Sequence, residues 1–209
     1  MSPIVTHGPR DVARVALTFD DGPDVTYTPQ ILEILAREGV PASFYIIGER
    51  ADIRPEITAR MAREGHEVGN HAYEERHLDL RRLRPEEILR SLSRTHETIT
   101  RLTGQAPVTF RPPFGFYNSF VLATANRFGY ATVLWDVDSL DWQSLSAGQI
   151  LRNVLPRVRN GSIVLMHSGT TLPGEDLSGT VNALPEIIRD LRARGFEMVT
   201  VRALVGLTG

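Results

Sequence analysis

The chain has 209 residues, a formal net charge of −2 and no cysteine, and all 23 of its basic residues are arginine. This length suits one sizeable core, the charge balance gives no basic footprint for nucleic acid, and no window approaches the roughly 18 apolar residues of a membrane span. Without cysteine or lysine, the composition excludes disulfides, thiolate nucleophiles, cysteine-ligated zinc and lysine Schiff bases.

Short apolar runs typical of buried strands alternate with helical stretches along the whole chain. Seven strands are predicted, at residues 15–19, 42–47, 66–70, 108–111, 131–137, 162–166 and 196–201. Helices are predicted at residues 28–38, 55–64, 85–102, 118–128, 146–159 and 180–194. This alternation favours a parallel α/β architecture, and we interpret residues 1–209 as a single domain.

Polar or otherwise special residues follow directly after five of these strands. They are the pair Asp20 and Asp21, then His71, Arg111, Asp138 and His167. In barrels and open parallel sheets alike, ligands bind at the C-terminal ends of the strands. The sequence therefore predicts a functional site at one rim of the sheet.

The first strand ends in two adjacent carboxylates, Asp20 and Asp21, which are followed by Gly22 and Pro23. Successive strand side chains point to opposite faces, so only a bend at the strand end can aim both carboxylates at one point. One could then bind a cation while the other acts as a base. The alternative is a turn pair that caps the next helix.

The other strand ends carry groups suited to hydrolysis. His71 is a metal-ligand candidate or a hydrogen-bonded structural histidine. The two prolines after Arg111 stiffen a turn whose next amide, that of Phe114, suits an oxyanion hole. His167 follows an apolar strand and could be a general acid if a carboxylate lies beside it. Trp142 is either the wall of a groove or a loop-packing aromatic.

Together these stretches resemble the NodB-type polysaccharide deacetylases, carbohydrate esterase family 4. The residues that carry the resemblance appear in the order of the family's motifs, as Thr18-Phe19-Asp20-Asp21-Gly22-Pro23, Gly69-Asn70-His71, Arg111-Pro112-Pro113-Phe114-Gly115, Asp138-Ser139-Leu140-Asp141-Trp142 and Leu165-Met166-His167. The resemblance implies a distorted (β/α) barrel with fewer than eight strands, in line with the seven parallel strands predicted here.

The resemblance also implies a role for each motif residue. Asp20 would be the catalytic base, oriented by Arg111, and His167 the general acid, paired with Asp141. The backbone N–H of Phe114 would serve the oxyanion. Metal ligands would be Asp21, His71 and a second histidine. Substrate contacts are assigned to Trp142, Leu165, Tyr73 and Tyr117.

One motif departs from the family pattern. The family places its two metal-binding histidines four residues apart, whereas His71 and His77 are six apart. Residues six apart on a helix lie about 120° from each other, so Glu75, at the family spacing, is one candidate for the third ligand. We favour His77, because the family's motif resumes there and imidazole suits zinc.

The expected activity is metal-dependent hydrolysis of the acetamido group of an N-acetylated amino sugar, in chitooligosaccharide, peptidoglycan or a related glycan. Zinc is the favoured metal, with cobalt, manganese and nickel as alternatives. The alternative functions are deacetylation or deformylation of a small sugar-bearing metabolite, and non-catalytic sugar binding. The first 14 residues lack the apolar core of a signal peptide, so we expect a cytoplasmic protein, or a secreted or cell-wall protein whose leader was removed.

Overall fold

The computed structural model describes residues 3–74 and 78–207. In these residues, parallel strands form one sheet and helices cover its outer face. The strands are β1 (Ile4–Val5), β2 (Arg14–Asp20), β3 (Ser43–Ile46), β4 (Glu67–Asn70), β5 (Thr109–Phe110), β6 (Ala131–Val133), β7 (Val137–Asp138), β8 (Ile163–His167) and β9 (Glu197–Met198). The helices are α1 (Tyr27–Glu38), α2 (Gly48–Ile53), α3 (Pro55–Arg63), α4 (Pro85–Thr103), α5 (Ser119–Arg127), α6 (Ala147–Val154), α7 (Ser178–Ala193) and α8 (Val201–Leu204).

The sheet runs in the order β1-β6-β5-β4-β3-β2-β8-β7, and β9 pairs with the start of β2. The sheet is strongly curled. This is shown by Arg111, just after β5, whose side chain reaches the hydroxyl of Thr18 on β2 although two strands lie between β5 and β2. Such curling of a parallel sheet makes an inside and an outside, and it brings the C-terminal strand ends together at one rim.

Strand β2 shows how the sequence sets the two faces. Its side chains alternate, so Val15, Leu17 and Phe19 enter the large core under the helices, while Ala16 packs with the residues inside the barrel. Asp20 lies on the same face of the strand as Ala16, since an even number of positions separates the two residues. The pattern of β2 therefore carries a carboxylate into the barrel interior at the rim.

The structure differs from the predicted elements in several places. The described residues form nine strands rather than seven, because β1 was not predicted and residues 131–137 form two strands, β6 and β7. Between these two strands, Asp136 accepts hydrogen bonds from the N–H of Ile163 and from Arg10. The predicted helix 146–159 ends at Val154, ahead of Pro156, which cannot continue it. Helix α2 was also not predicted. No helix in the described part of the chain is long and apolar enough to cross a membrane.

Candidate active site

The strand ends meet at a cavity of about 390 Å³ on the C-terminal rim of the sheet. Its polar residues are Asp20, Asp21, His71, Asp138, His167, Thr171 and Glu175, and its apolar walls are formed by Phe114, Phe116, Trp135, Trp142, Leu165, Leu172 and Leu177. A cavity of this size with a few convergent polar groups is typical of a small-molecule site. The predicted convergence at one rim is therefore observed.

Asp20 is held by a buried arginine. The Nη1 atom of Arg111 donates to Asp20 Oδ1 at 2.7 Å, and the Arg111 side chain is fully buried. The same Nη1 atom also donates to the hydroxyl of Thr18, while Nε and Nη2 donate to the carbonyl oxygens of Val133 and Leu134. Because every one of these partners is fixed, Arg111 orients Asp20 and balances its charge inside the barrel.

Asp21 turns out of the strand. Its φ of +68° lies in the left-handed region, which is uncommon for a residue with a side chain. This bend places Asp21 Oδ1 at 3.2 Å from His71 Nε2, while Asp20 Oδ2 lies 3.8 Å from the same nitrogen. A strand-end bend thus brings both carboxylates to one imidazole, as the sequence predicted.

His71 presents one ring nitrogen to these carboxylates because the other is engaged by the backbone. Its Nδ1 lies 2.6 Å from the carbonyl oxygen of Arg111, which assigns the proton to Nδ1 and directs Nε2 towards Asp20 and Asp21. Burial alone would lower the pKa of His71, but Asp20 and Asp21 outweigh it and raise that pKa. A histidine oriented by a backbone carbonyl in this way suits a metal ligand.

His167 forms the second charge pair of the site. Its Nδ1 lies 2.7 Å from Asp141 Oδ1, and its backbone N–H donates to Asp141 Oδ2 at 2.8 Å. Burial would lower the pKa of His167, but the carboxylate of Asp141, with smaller contributions from Asp21 and Asp20, outweighs it and raises the pKa to about 10. The imidazole is therefore protonated at neutral pH, and its Nε2 lies 3.9 Å from Asp21 Oδ2.

Three predicted residues form walls of the cavity. Phe114 lies in a short 3-10 turn, Pro113–Gly115, with a φ of +60°, and the next two N–H groups bond back to Pro112 and Pro113. Trp142 is half exposed at the cavity mouth, and Leu165 is buried in β8. The stiff turn and both wall positions agree with the predicted layout.

Two predicted contact residues do not line the cavity. The hydroxyl of Tyr73 donates a hydrogen bond to Asp52 of α2 at 3.0 Å, and the guanidinium of Arg94 of α4 stacks on its ring. Tyr73 therefore packs between α2 and α4. Tyr117 lies on the surface, one residue beyond the cavity wall at Phe116. Their assignment as substrate contacts stays a prediction, and it places those contacts outside this cavity. The two candidates for a third metal ligand, Glu75 and His77, lie outside the described residues.

Several residues that position the site were missed. Thr180, in the first turn of α7, donates to Asp141 Oδ2 at 2.7 Å. Arg50 of α2 donates to the carbonyl oxygens of Asp21 at 2.7 Å and Thr170 at 2.6 Å. No local pattern reveals such roles, because each contact joins residues far apart in the chain.

A metal ion fits part of this donor set. Asp21 and His71 supply a carboxylate and an oriented imidazole, both buried, which are ligands for a divalent cation such as zinc. Within residues 3–74 and 78–207, no group of three or more such side chains is arranged to hold a metal. The described residues thus supply two side chains that would hold such an ion, and the candidates for a third, Glu75 and His77, lie outside them.

The chain is similar in sequence to known polysaccharide deacetylases. A family model for polysaccharide deacetylases matches residues 7–133. A peptidoglycan-N-acetylglucosamine deacetylase of Bacillus cereus is 41% identical over 197 residues, which are 94% of this chain and 70% of that protein. The chain belongs to the polysaccharide deacetylase family. The predicted resemblance and the predicted enzyme class, a hydrolase of carbon–nitrogen bonds, are thereby confirmed.

Other polysaccharide deacetylases agree in sequence and fold. A chitooligosaccharide deacetylase of a Bradyrhizobium species is 40% identical over 193 residues, with 88% of this chain and 87% of that protein covered. A crystal structure of a peptidoglycan N-acetylglucosamine deacetylase, with 4-naphthalen-1-yl-N-oxidanyl-benzamide bound, superposes with a TM-score of 0.94 at 39% identity, over 99% of this chain and 94% of that one. The distorted barrel predicted for this chain is therefore confirmed.

One structural relative is a pseudoenzyme. A family 4 pseudoenzyme from Bacillus anthracis superposes with a TM-score of 0.86 at 29% identity, over 98% of this chain and 69% of that chain. The fold is thus shared by a protein described as a pseudoenzyme. Activity has to be argued from the site residues of this chain.

Proposed function

We propose that this chain hydrolyses the acetamido group of N-acetylated amino sugars in a glycan and releases acetate. The observation that carries this proposal is the meeting of two charge pairs in one cavity. Asp20 is paired with Arg111 and His167 with Asp141, and His71 and Asp21 lie between them. A base and an acid held apart in this way suit the addition of water to an amide and the departure of an amine.

The residues divide the proton transfers between them. Asp20 accepts a proton from the attacking water, whose oxygen forms a bond to the acetyl carbon. His167, protonated at neutral pH, donates its proton to the nitrogen as the carbon–nitrogen bond breaks. The Phe114 N–H, fixed in its stiff turn, is assigned to the oxyanion. The products are acetate and a free amino sugar.

A divalent metal is part of this proposal, and zinc is the favoured ion. Asp21 and His71 would hold it together with a third ligand, for which His77 is favoured over Glu75. A cation bound there would polarise the acetamide carbonyl and activate water. Cobalt, manganese and nickel remain alternatives, since their ligand preferences overlap those of zinc.

The substrate class follows from the relatives. Those described above act, by their names, on peptidoglycan and on chitooligosaccharides, and both names denote carbohydrate substrates. The aromatic and aliphatic walls of the cavity, including Trp142 and Leu165, suit a sugar ring and its acetyl methyl group. We therefore place a glycan ahead of a small sugar-bearing metabolite.

A second candidate function, sugar binding without catalysis, is favoured by two observations. The spacing of His71 and His77 departs from the family's pattern, and the fold is shared with a pseudoenzyme. A measurement of bound metal distinguishes the deacetylase from the sugar-binding protein. A chain that cannot complete its metal site would keep the cavity that binds sugar but would not turn over substrate.

The test measures acetate release and bound metal together. The purified chain, supplied in turn with zinc, cobalt, manganese or nickel, is incubated with N-acetylglucosamine oligomers, peptidoglycan, acetylated xylan and small acetamido sugars. The proposal expects about one metal per chain and acetate from the N-acetylated glycans. Metal binding without acetate from any substrate would contradict it, and sugar binding without metal would favour the second function.

A further inference from the structure

A second concave surface lies at the end of the barrel opposite the candidate active site. It is a depression of about 480 Å³, lined by Arg10, Val158, Arg159, Asn160, Arg194 and Phe196. Residues 158–160 precede β8, Phe196 precedes β9 and Arg10 precedes β2. These strands pair in parallel, so the depression lies at their N-terminal ends, whereas the cavity lies at the C-terminal ends.

Three guanidinium groups meet at this depression, and we define the arginine cluster as Arg10, Arg159 and Arg194. Two of these side chains are held by backbone carbonyl oxygens. Arg10 donates to the carbonyl of Asn160 at 2.5 Å. Arg194 donates to the carbonyls of Leu155 and Val158 at 2.8 and 2.6 Å. Both guanidinium groups are therefore in place before a ligand arrives, which lowers the entropy that binding would cost.

Arg159 keeps donors available for a ligand. Its side chain is 72% exposed, and its partner among the described residues is Asp136, whose Oδ2 lies 4.0 Å from the Arg159 Nε. That distance is longer than a hydrogen bond. Asp136 is instead occupied by other donors, because it accepts from the N–H of Ile163, from the hydroxyl of Ser162 and from Arg10. The N–H groups of Arg159 can therefore donate to an anion from solvent.

The arginine cluster also carries more positive than negative charge. Its three guanidinium groups stay protonated at any physiological pH. Among the described residues, the carboxylates that pair with them are Asp136 and Asp190, which leaves one positive charge in excess. Asp11 follows Arg10 in the chain but does not line the depression. The charge balance of the depression therefore favours an anionic ligand.

The arrangement of the arginine cluster suits a phosphate group better than a carboxylate. The guanidinium groups reach the depression from three separate segments of the chain, so they can donate to several oxygens of one tetrahedral anion. A carboxylate has its oxygens in one plane, and a single arginine satisfies them. The ring of Phe196 lies 5.0 Å from the guanidinium of Arg194 and forms an apolar wall, which suits the carbon atoms of a phosphate ester.

We propose that the arginine cluster is a second binding site, which takes a phosphate group that is either free, on a small ester, or carried on a polymer. This inference goes beyond the proposed deacetylase function, since no residue of the cluster lines the cavity. Because the two sites open at opposite ends of the barrel, both can be occupied at once. A phosphate-bearing polymer bound at the cluster leaves the cavity free for a glycan.

The test measures phosphate binding by titration calorimetry in a buffer without other multivalent anions. Inorganic phosphate, glycerol phosphate and a poly(glycerol phosphate) chain are titrated separately into the metal-loaded protein. We expect saturable binding that weakens as salt rises. Tighter binding of the polymer than of the two small probes identifies a polymer as the source of the phosphate, and equal affinities identify a free phosphate or a small ester. Either result supports the site.

Arg159→Gln locates the binding, because this side chain makes no hydrogen bond that the fold needs. Its affinity for each probe should fall about three- to tenfold, since one exposed charge-assisted contact is lost. Arg90→Gln is the matched control. It removes the same charge from an exposed position on α4 and should keep the wild-type affinity. Acetate release is measured in both variants and should equal that of the wild type.

Three results would overturn the inference. They are the absence of saturable binding in the wild type, an unchanged affinity in Arg159→Gln, and an equal loss of affinity in Arg159→Gln and Arg90→Gln. An unchanged affinity in Arg159→Gln would place the phosphate elsewhere, for instance on the metal in the cavity. None of the three affects the deacetylase function, which is contradicted only by the acetate assay of the wild type.

Discussion

At the scale of single residues, the site depends on partners that fix the two side chains proposed as base and acid. Arg111 holds Asp20, and Asp141, itself bonded to Thr180, holds His167. The motif residues in each pair could be assigned from the sequence through the family resemblance. Thr180 could not, because its hydroxyl meets Asp141 only when α7 packs against the rim, 39 residues further along the chain.

The first prediction concerns the pH profile of Asp141→Asn. In the wild type the carboxylate of Asp141 overcomes the effect of burial and raises the pKa of His167 to about 10, so the acid is protonated over the whole neutral range. Removing the negative charge lowers this pKa towards or below the ordinary value of about 6.5. The alkaline limb of kcat/KM should therefore move to lower pH, and the rate at pH 8 should fall about tenfold or more.

Thr180→Val is the control for this experiment. It removes one hydrogen bond to Asp141 but keeps the carboxylate, so its alkaline limb should stay close to that of the wild type while its rate drops modestly. Profiles of kcat/KM from pH 6 to 10 for the three proteins give the comparison. If Asp141→Asn keeps the wild-type limb, His167 is not the acid that the profile reports.

At the scale of secondary-structure elements, the sequence predicted most of what builds the rim. The ends of β2, β4, β5, β7 and β8 carry or directly precede Asp20, His71, Arg111, Asp138 and His167. Local hydrophobic pattern is sufficient for β2 and β8, whose apolar runs end at Asp20 and at His167. It was not sufficient for the break between β6 and β7, where Asp136 bonds to Arg10, 126 residues away.

Helix α2 was likewise not predicted from local sequence pattern, and it gives the second prediction. Its buried Arg50 joins the carbonyl oxygens of Asp21 and Thr170, so it ties the turn that carries a proposed metal ligand to the loop beside the cavity. Arg50→Met should weaken metal binding about tenfold, as loss of an outer-shell partner usually does. It should also lower the free energy of unfolding of the metal-free protein by about 2 kcal/mol.

The control is Arg63→Met, which removes an exposed arginine from the neighbouring α3. Metal affinity is measured by competition with a coloured chelator, and stability by urea unfolding of the metal-free protein. Arg50→Met is expected to differ from this control in both measurements. Equal metal affinity in the two variants would show that Arg50 is a stabilising residue without a role in positioning Asp21.

At the scale of the whole molecule, a buried histidine far from the site links folding to pH. His66 lies at the N-terminal side of β4, accepts the N–H of Ala42 at Nδ1 and packs edge-on against Phe44. Burial lowers its pKa to about 4, while nearby Glu64 raises and Arg60 lowers that pKa to smaller extents. The folded protein therefore keeps His66 neutral where the unfolded chain would protonate it.

The third prediction follows from the sign of this difference. As pH falls from about 6.5 to about 4, the unfolded chain takes up a proton at His66 that the folded chain does not. The free energy of unfolding therefore decreases by roughly 3 kcal/mol over this range. In His66→Gln this contribution is absent, and the glutamine oxygen can still accept the Ala42 N–H. Urea unfolding at pH 7, 5.5 and 4.5 should show a shallower loss in the variant, and parallel losses would contradict the account.

The central claim is that adjacent carboxylates at the end of β2 have different tasks, with Asp20 the base and Asp21 a metal ligand. The most direct measurement is metal content and acetate release for Asp20→Asn beside Asp21→Asn, on the same N-acetylglucosamine oligomer. Asp20→Asn should keep its metal and lose activity by a factor on the order of 10²–10⁴, whereas Asp21→Asn should lose both. Loss of metal from Asp20→Asn, with metal retained by Asp21→Asn, would contradict the account.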